Sequence, residues 1–230
     1  MSLVKDLRLM LMQSFVSLPL IIIGWIFFMG ITQGNIAFMI LSLGHIFIVP
    51  IVTIMSNTII EFILKQLEYL SGSPSLSGFF TVPNADVCNL IPGSMDSTVP
   101  LIWVAPSYWM AHIIFFSVFL LTNSIYVHSM PSAQGADKEK VERRKTQVMI
   151  SSGLTLITFI VFIVMRYMFS GCETVGGILV SLPIFGSLAF GWYQLVRSCS
   201  IKDSDVFGIV QGIKPESMKD DPPMTCVFQG

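Results

Sequence analysis

VMISSGLTLITFIVFIVMRYMF, residues 148–169, is a 22-residue run with a single charge, Arg166, close to its end. A helix rises about 1.5 Å per residue and the hydrocarbon core of a bilayer is about 30 Å thick, so roughly 20 apolar residues cross it. This stretch is long enough to span and too apolar throughout to be one face of a soluble helix. Outward from it, four more stretches share its character: 15–31, 36–55, 108–127 and 175–196. The sequence therefore predicts an all-α polytopic membrane protein, a bundle of five transmembrane helices with four as the smaller count. Composition agrees. The chain is 53% hydrophobic and 12% charged, with a mean hydropathy of +0.75, whereas soluble domains carry about 25% charged residues. A net charge of −1 gives no basic field for nucleic acid.

Four segments are expected: residues 1–65, holding a helical hairpin of the spans 15–31 and 36–55; an irregular extramembrane loop of about 40 residues, 66–106; a three-span unit, 107–196; and a polar tail, 197–230. Lys5 and Arg8 before the first span suggest a signal peptide, but the apolar run continues to Ile31 without an A-x-A-like site, so it reads as a retained span. Gly34 and Asn35 supply turn chemistry between spans one and two. Glu61 and Lys65 suit an exposed i,i+4 pair beyond span two. Five prolines between 74 and 106 argue against helix in the loop. Its Phe79, Phe80 and Trp103 argue against a plain linker and make it a candidate partner surface. Trp109, Tyr126, Tyr167, Trp192 and Tyr193 fall near span ends, as an aromatic belt requires. Lys138, Lys140, Arg143, Arg144 and Lys145, interleaved with Glu139 and Glu142, suggest a charged helix running into span four. That run could dock anionic headgroups or form a solvated face. With five spans, this loop and the tail share the more basic side, which the positive-inside rule makes cytosolic.

Four cysteines allow three pairings, and the bilayer excludes those that cross it. Cys88 with Cys172 and Cys199 with Cys226 remain as candidate disulfides, with free thiols the alternative, above all for the cytosolic pair. His45 and His112 are the only histidines at membrane depth, and Asn123 lies in span three. They could form a proton or ligand path, or hydrogen-bond across helix interfaces. Pro50 and Pro183 could kink their helices. Gly177/Ser181 and Ser187/Gly191 could let span five approach a neighbour closely. Serine-hydrolase, zinc-protease, P-loop and dinucleotide motifs do not occur. No catalytic residue, cofactor, metal site or small-molecule substrate is therefore expected, and no enzyme activity.

Four segments carry a family resemblance. Cys88-Asn89-Leu90-Ile91-Pro92 is followed by Pro106 to His112 with Phe115, Phe116 and Asn123, then by Gly191-Trp192-Tyr193 and Asp205 to Ile209. The combination resembles multispanning membrane proteins of large nucleocytoplasmic DNA viruses of the chlorovirus and mimivirus kind. The likeness covers roughly residues 85–230. It implies a structural component of a virion internal membrane, derived from host endoplasmic reticulum, that ties the bilayer to minor capsid proteins or other virion membrane proteins. Asp205, Phe207 and Ile209 join the loop aromatics as candidate contacts. A small channel or transporter, possibly oligomeric, is the alternative.

Overall fold

The computed structural model describes residues 14–71, 77–85, 88, 101–130 and 138–198. Four helical segments in it are long and apolar enough to cross a bilayer: Ile36–Leu70, Tyr108–Ser129, Val141–Phe169 and Val175–Ser198. The chain is an integral multi-pass membrane protein. Helix α1 (Leu18–Gln33) is the fifth apolar helix. Its 16 residues extend about 24 Å, short of the hydrocarbon thickness, so by length four spans are established and not the expected five.

Local chemistry explains the hairpin that follows. Gly34 adopts the left-handed conformation at φ 62° and its N–H closes onto the Gly30 and Ile31 carbonyls, a conformation glycine enters without steric cost. Asn35 then caps α2 (Ile36–Leu43), its side chain accepting from Ala37 N–H at 2.9 Å. The close approach of the two helices depends on Gly30, where a Cβ would collide with Met39 and Phe38.

After α2 the helix widens into a π-helical turn, Gly44–Ile48, and resumes as α3 (Val49–Ser71). Pro50 sits just past the widened turn. It has no N–H for the Ile46 carbonyl, and its ring would crowd that carbonyl in a regular helix. The expected kink is thus resolved as a π turn, with Val49 N–H bonded to Gly44 O. Helix α3 continues to Ser71, so the loop expected from residue 66 starts later. Nor is the loop wholly irregular: strands β1 (Thr81–Pro83) and β2 (Leu101–Trp103) pair antiparallel, Val82 opposite Ile102.

The central element is α4 (Tyr108–Ser129). Ser107 caps it by accepting from Met110 N–H, and Trp109, Met110, Ile113, Ile114, Phe115 and Phe119 are fully enclosed. Helix α5 (Lys138–Val164) unites the charged segment and the span in one rod and ends in a second π turn, Met165–Phe169. Helix α6 (Val175–Ser198) packs on α4 through Gly177, Ser181, Phe185, Ala189, Tyr193 and Val196, a three-and-four spacing that marks one helix face. That stripe corrects two expectations. Ser187 and Gly191 lie off it and are exposed, and Tyr193, a supposed belt residue, is in the core. Trp109 is likewise buried, whereas Tyr167 does face outward. The outer surfaces of α1, α3 and α5 carry exposed Phe28, Ile59, Phe62, Met149 and Ile157, the composition a lipid-facing surface needs.

Candidate functional site

Among the described residues, three clusters of polar groups lie inside this bundle. The first lies at the end that carries β1 and β2. Arg166, wholly buried on the second π turn, makes an ion pair with the buried Glu173 of the α5–α6 connector, 3.5 Å apart. The Ser107 hydroxyl donates to the same carboxylate oxygen, while Ser107 Oγ also accepts the Met110 N–H at 3.1 Å. Arg166 Nη2 donates to the Cys88 carbonyl at 2.8 Å, and its guanidinium lies 5.2 Å from the centre of the Trp109 ring. The Arg166 carbonyl in turn accepts from Ser170 Oγ at 2.6 Å and from Cys172 N–H at 3.3 Å. A disulfide joins Cys88 to Cys172, Cα atoms 5.0 Å apart. Asn57 adds a bond from α3 to the Pro106 carbonyl at 2.9 Å.

These contacts make one clasp. A guanidinium can serve several acceptors from a rigid fork, so one buried cation here ties α5, the α5–α6 connector, the α4 cap and the Cys88 segment. Phe80 and the Phe79 carbonyl press on Gly176, and the Val104 carbonyl on Gly177, both too closely to admit a Cβ. Burial pushes the Glu173 carboxyl up to about 7, against the opposing pull of the Ser107 hydroxyl and the Arg166 charge. Its Oε2 has no hydrogen-bond partner among the described residues, which leaves an oxygen able to keep a proton.

The second place is the first π turn. His45 Nδ1 and His112 Nδ1 are 3.1 Å apart, both rings buried and nearly parallel. One nitrogen must donate and the other accept, so two imidazolium rings cannot make this contact. Phe115 stands edge-on to His45 at 4.9 Å. Trp192 fills the space over Gly44 and donates from Nε1 to Ile40 O at 3.2 Å, which holds it within the bundle.

The third is near the other end of α4. Tyr193 Oη donates to Asn123 Oδ1 at 3.4 Å, and the Arg197 guanidinium lies 3.6 Å over the Tyr126 ring. Asn123 is 11 residues beyond His112, about 16 Å along the helix. The structure therefore brings His45 and His112 together and leaves Asn123 apart, with Phe119 packed between the levels.

Of the loop aromatics, Phe79 is exposed, whereas Phe80 and Trp103 are half-buried, Phe80 against Gly176 and Trp103 opposite Thr81 in the ribbon. Asp205, Phe207, Ile209, Cys199 and Cys226 lie outside the described residues. Sequence reasoning missed Arg166–Glu173 as a pair. The usable signal was there: an arginine inside an apolar run and an acid seven residues on, in a five-residue connector that also holds Cys172. No protein-family model, curated protein or solved structure matches the chain.

Proposed function

We propose that this membrane protein is a structural anchor, its helical bundle holding a clamped extramembrane cap for contact with a neighbouring protein. The observation that carries the reading is the clasp. A salt bridge, a capping serine and a disulfide converge on fixing Cys88 and the Ser107 start of α4 to the bundle. That investment suits a surface that must hold its shape. Phe79 and Leu101, both exposed on that cap, are the apolar groups it offers, and exposed apolar groups beside polar ones characterise interaction surfaces.

The resemblance of the Cys88–Pro92, Pro106–His112 and Asp205–Ile209 segments extends the proposal. The anchor would sit in a virion internal membrane and meet minor capsid proteins. Detergent fractionation of purified particles followed by cross-linking tests it. A capsid component cross-linked through a cysteine placed at Phe79 supports the anchor. A protein that leaves with the lipid and cross-links to nothing defeats it.

A small channel or transporter is the second reading, favoured by the His45–His112 pair alone, since buried imidazoles in spans often mark proton or ligand paths. Reconstituted liposomes separate the two: a flux abolished by His45→Ala supports the channel, and a silent bilayer supports the anchor.

A further inference from the structure

A groove of about 440 Å³ opens along the side of the bundle between α1, α4 and α5. This is within the size range of small-ligand sites. Its walls are apolar, with Ile22 of α1, Ile113, Phe116 and Leu120 of α4, and Leu154 and Phe162 of α5. Helix α5 adds a polar series, Gln147, Ser151, Thr155 and Thr158. From Gln147 to Phe162 the groove follows about 22 Å of helix, the reach of an acyl chain and not of a headgroup alone.

Basic residues of α5 lie about one helical turn beyond the groove's lining. Positions 144, 147, 151, 155, 158 and 162 recur every three or four residues, so Arg144 stands on the same face as the groove-lining side chains, one turn beyond Gln147. Arg143 neighbours it on the side of Ile150 and Leu154. Lys145 is engaged by Glu142 at 3.4 Å. Arg144 is 5% exposed and donates from Nη2 to the Met130 carbonyl at 3.1 Å. Its Nε is buried with no acceptor among the described residues. A buried cationic N–H without a partner is costly, and an anionic oxygen beside it would remove that cost.

We propose that this groove is a binding site for one anionic glycerophospholipid of the leaflet at the Lys138 end of α5. An acyl chain lies along α4 and α5, and the phosphate meets Arg143 and Arg144. Charge decides the occupant. A second copy of the chain would bring its own basic 138–145 segment to the same end in a parallel arrangement, whereas a lipid phosphate supplies the missing acceptor. A zwitterionic headgroup carries its own cation to the site and fits it less well.

The test uses the full chain reconstituted in vesicles of equal phosphatidylglycerol and phosphatidylcholine, re-extracted in mild detergent and washed, with retained lipid measured by mass spectrometry. Phosphatidylglycerol should be enriched over the vesicle ratio by about five-fold for each arginine engaged. Arg143→Gln, an exposed position, should lower that enrichment about five-fold without disturbing the fold. Ser151→Phe, which fills the groove, should abolish retention of either lipid. Retained lipid at the vesicle ratio overturns the proposal, as does undiminished retention by Ser151→Phe. Cross-linking of Leu154→Cys to a second copy with no lipid retained also overturns it and assigns the groove to a dimer contact.

Discussion

Among the described residues two turns are widened to π geometry, Gly44–Ile48 and Met165–Phe169, and each carries a buried polar side chain. They solve the same problem differently. Arg166 faces the hydroxyl-capped carboxylate of nearby Glu173, together with a carbonyl and an aromatic ring from segments far apart in sequence. His45 faces another histidine and phenylalanine rings, and its Nε2 has no partner among the described residues. A π turn displaces the regular hydrogen-bond ladder and re-aims the side chain it carries. At the bundle end that freedom builds a charged clasp across a connector. In the interior it builds one neutral contact between helices. The difference teaches where disruption should be felt most.

The largest effect is expected at the clasp. Above about pH 7, where Glu173 is ionised, Glu173→Ala leaves the buried guanidinium without its counter-charge and should destabilise the protein by about 3–5 kcal/mol. Unfolding in detergent, followed by circular dichroism, measures it. The double variant Arg166→Leu/Glu173→Leu should recover part of the loss, because no uncompensated charge then remains. If the single and double variants are equally unstable, packing and not charge holds this end together.

Reducing the disulfide should come next. Cys88 and Cys172 are separated by 84 residues, and opening a loop of that length costs about 2–4 kcal/mol. Cys88→Ser combined with Glu173→Ala should fall short of additivity, since Arg166 binds both the Cys88 carbonyl and Glu173. Full additivity would mean that the bridge and the ion pair act separately.

Protonation gives a third way to separate the two turns. The folded protein holds the Glu173 proton up to about pH 7, whereas a free carboxyl releases it near 4.5. Between these values the folded state binds more protons, so stability should fall as pH rises and level off above about 7. Glu173→Gln should flatten that slope. Persistence of the slope in the variant would place its source elsewhere.

How far the sequence reveals this architecture follows from which forces are local. Apolar runs such as 148–169 announce spans because burial in lipid acts on every residue of the run. Gly34 and Asn35 announce a turn for equally local reasons. The bilayer left two admissible cysteine pairings, and the structure contains Cys88–Cys172. The ribbon of Thr81–Pro83 with Leu101–Trp103 was hidden, because three-residue strands have no periodicity to read. The extension of α3 was half legible: Glu61 and Lys65 marked helix beyond the span and do pair, while the last turns to Ser71 carry no apolar periodicity to read. Arg166 looked like a boundary charge until Glu173 and Ser107, 66 residues apart in sequence, met around it. Such convergence belongs to tertiary packing. The facing of α6 was half legible: Gly177 and Ser181 lie on its buried stripe, yet Ser187 and Gly191, with the same spacing, lie outside it.

The smallest expected effect belongs to the interior turn. His112→Leu removes one partner of a single neutral hydrogen bond and should cost about 1–2 kcal/mol. His45→Phe should cost a similar amount, because its imidazole is likewise enclosed and Phe115 and Phe116 already pack around it. The double variant His45→Phe/His112→Leu decides what the pair contributes. Interhelical hydrogen bonds in membranes couple by about 0.6 kcal/mol on average, so the double variant should be more stable than the sum of the two single losses by roughly that amount. A coupling near the 3–5 kcal/mol scale of the clasp would erase the contrast between the two turns. It would show that His45 and His112 carry a charge-dependent interaction like that of Arg166 and Glu173. A coupling near zero would reduce the interior π turn to a consequence of Pro50, with the histidines as occupants of space it had already opened.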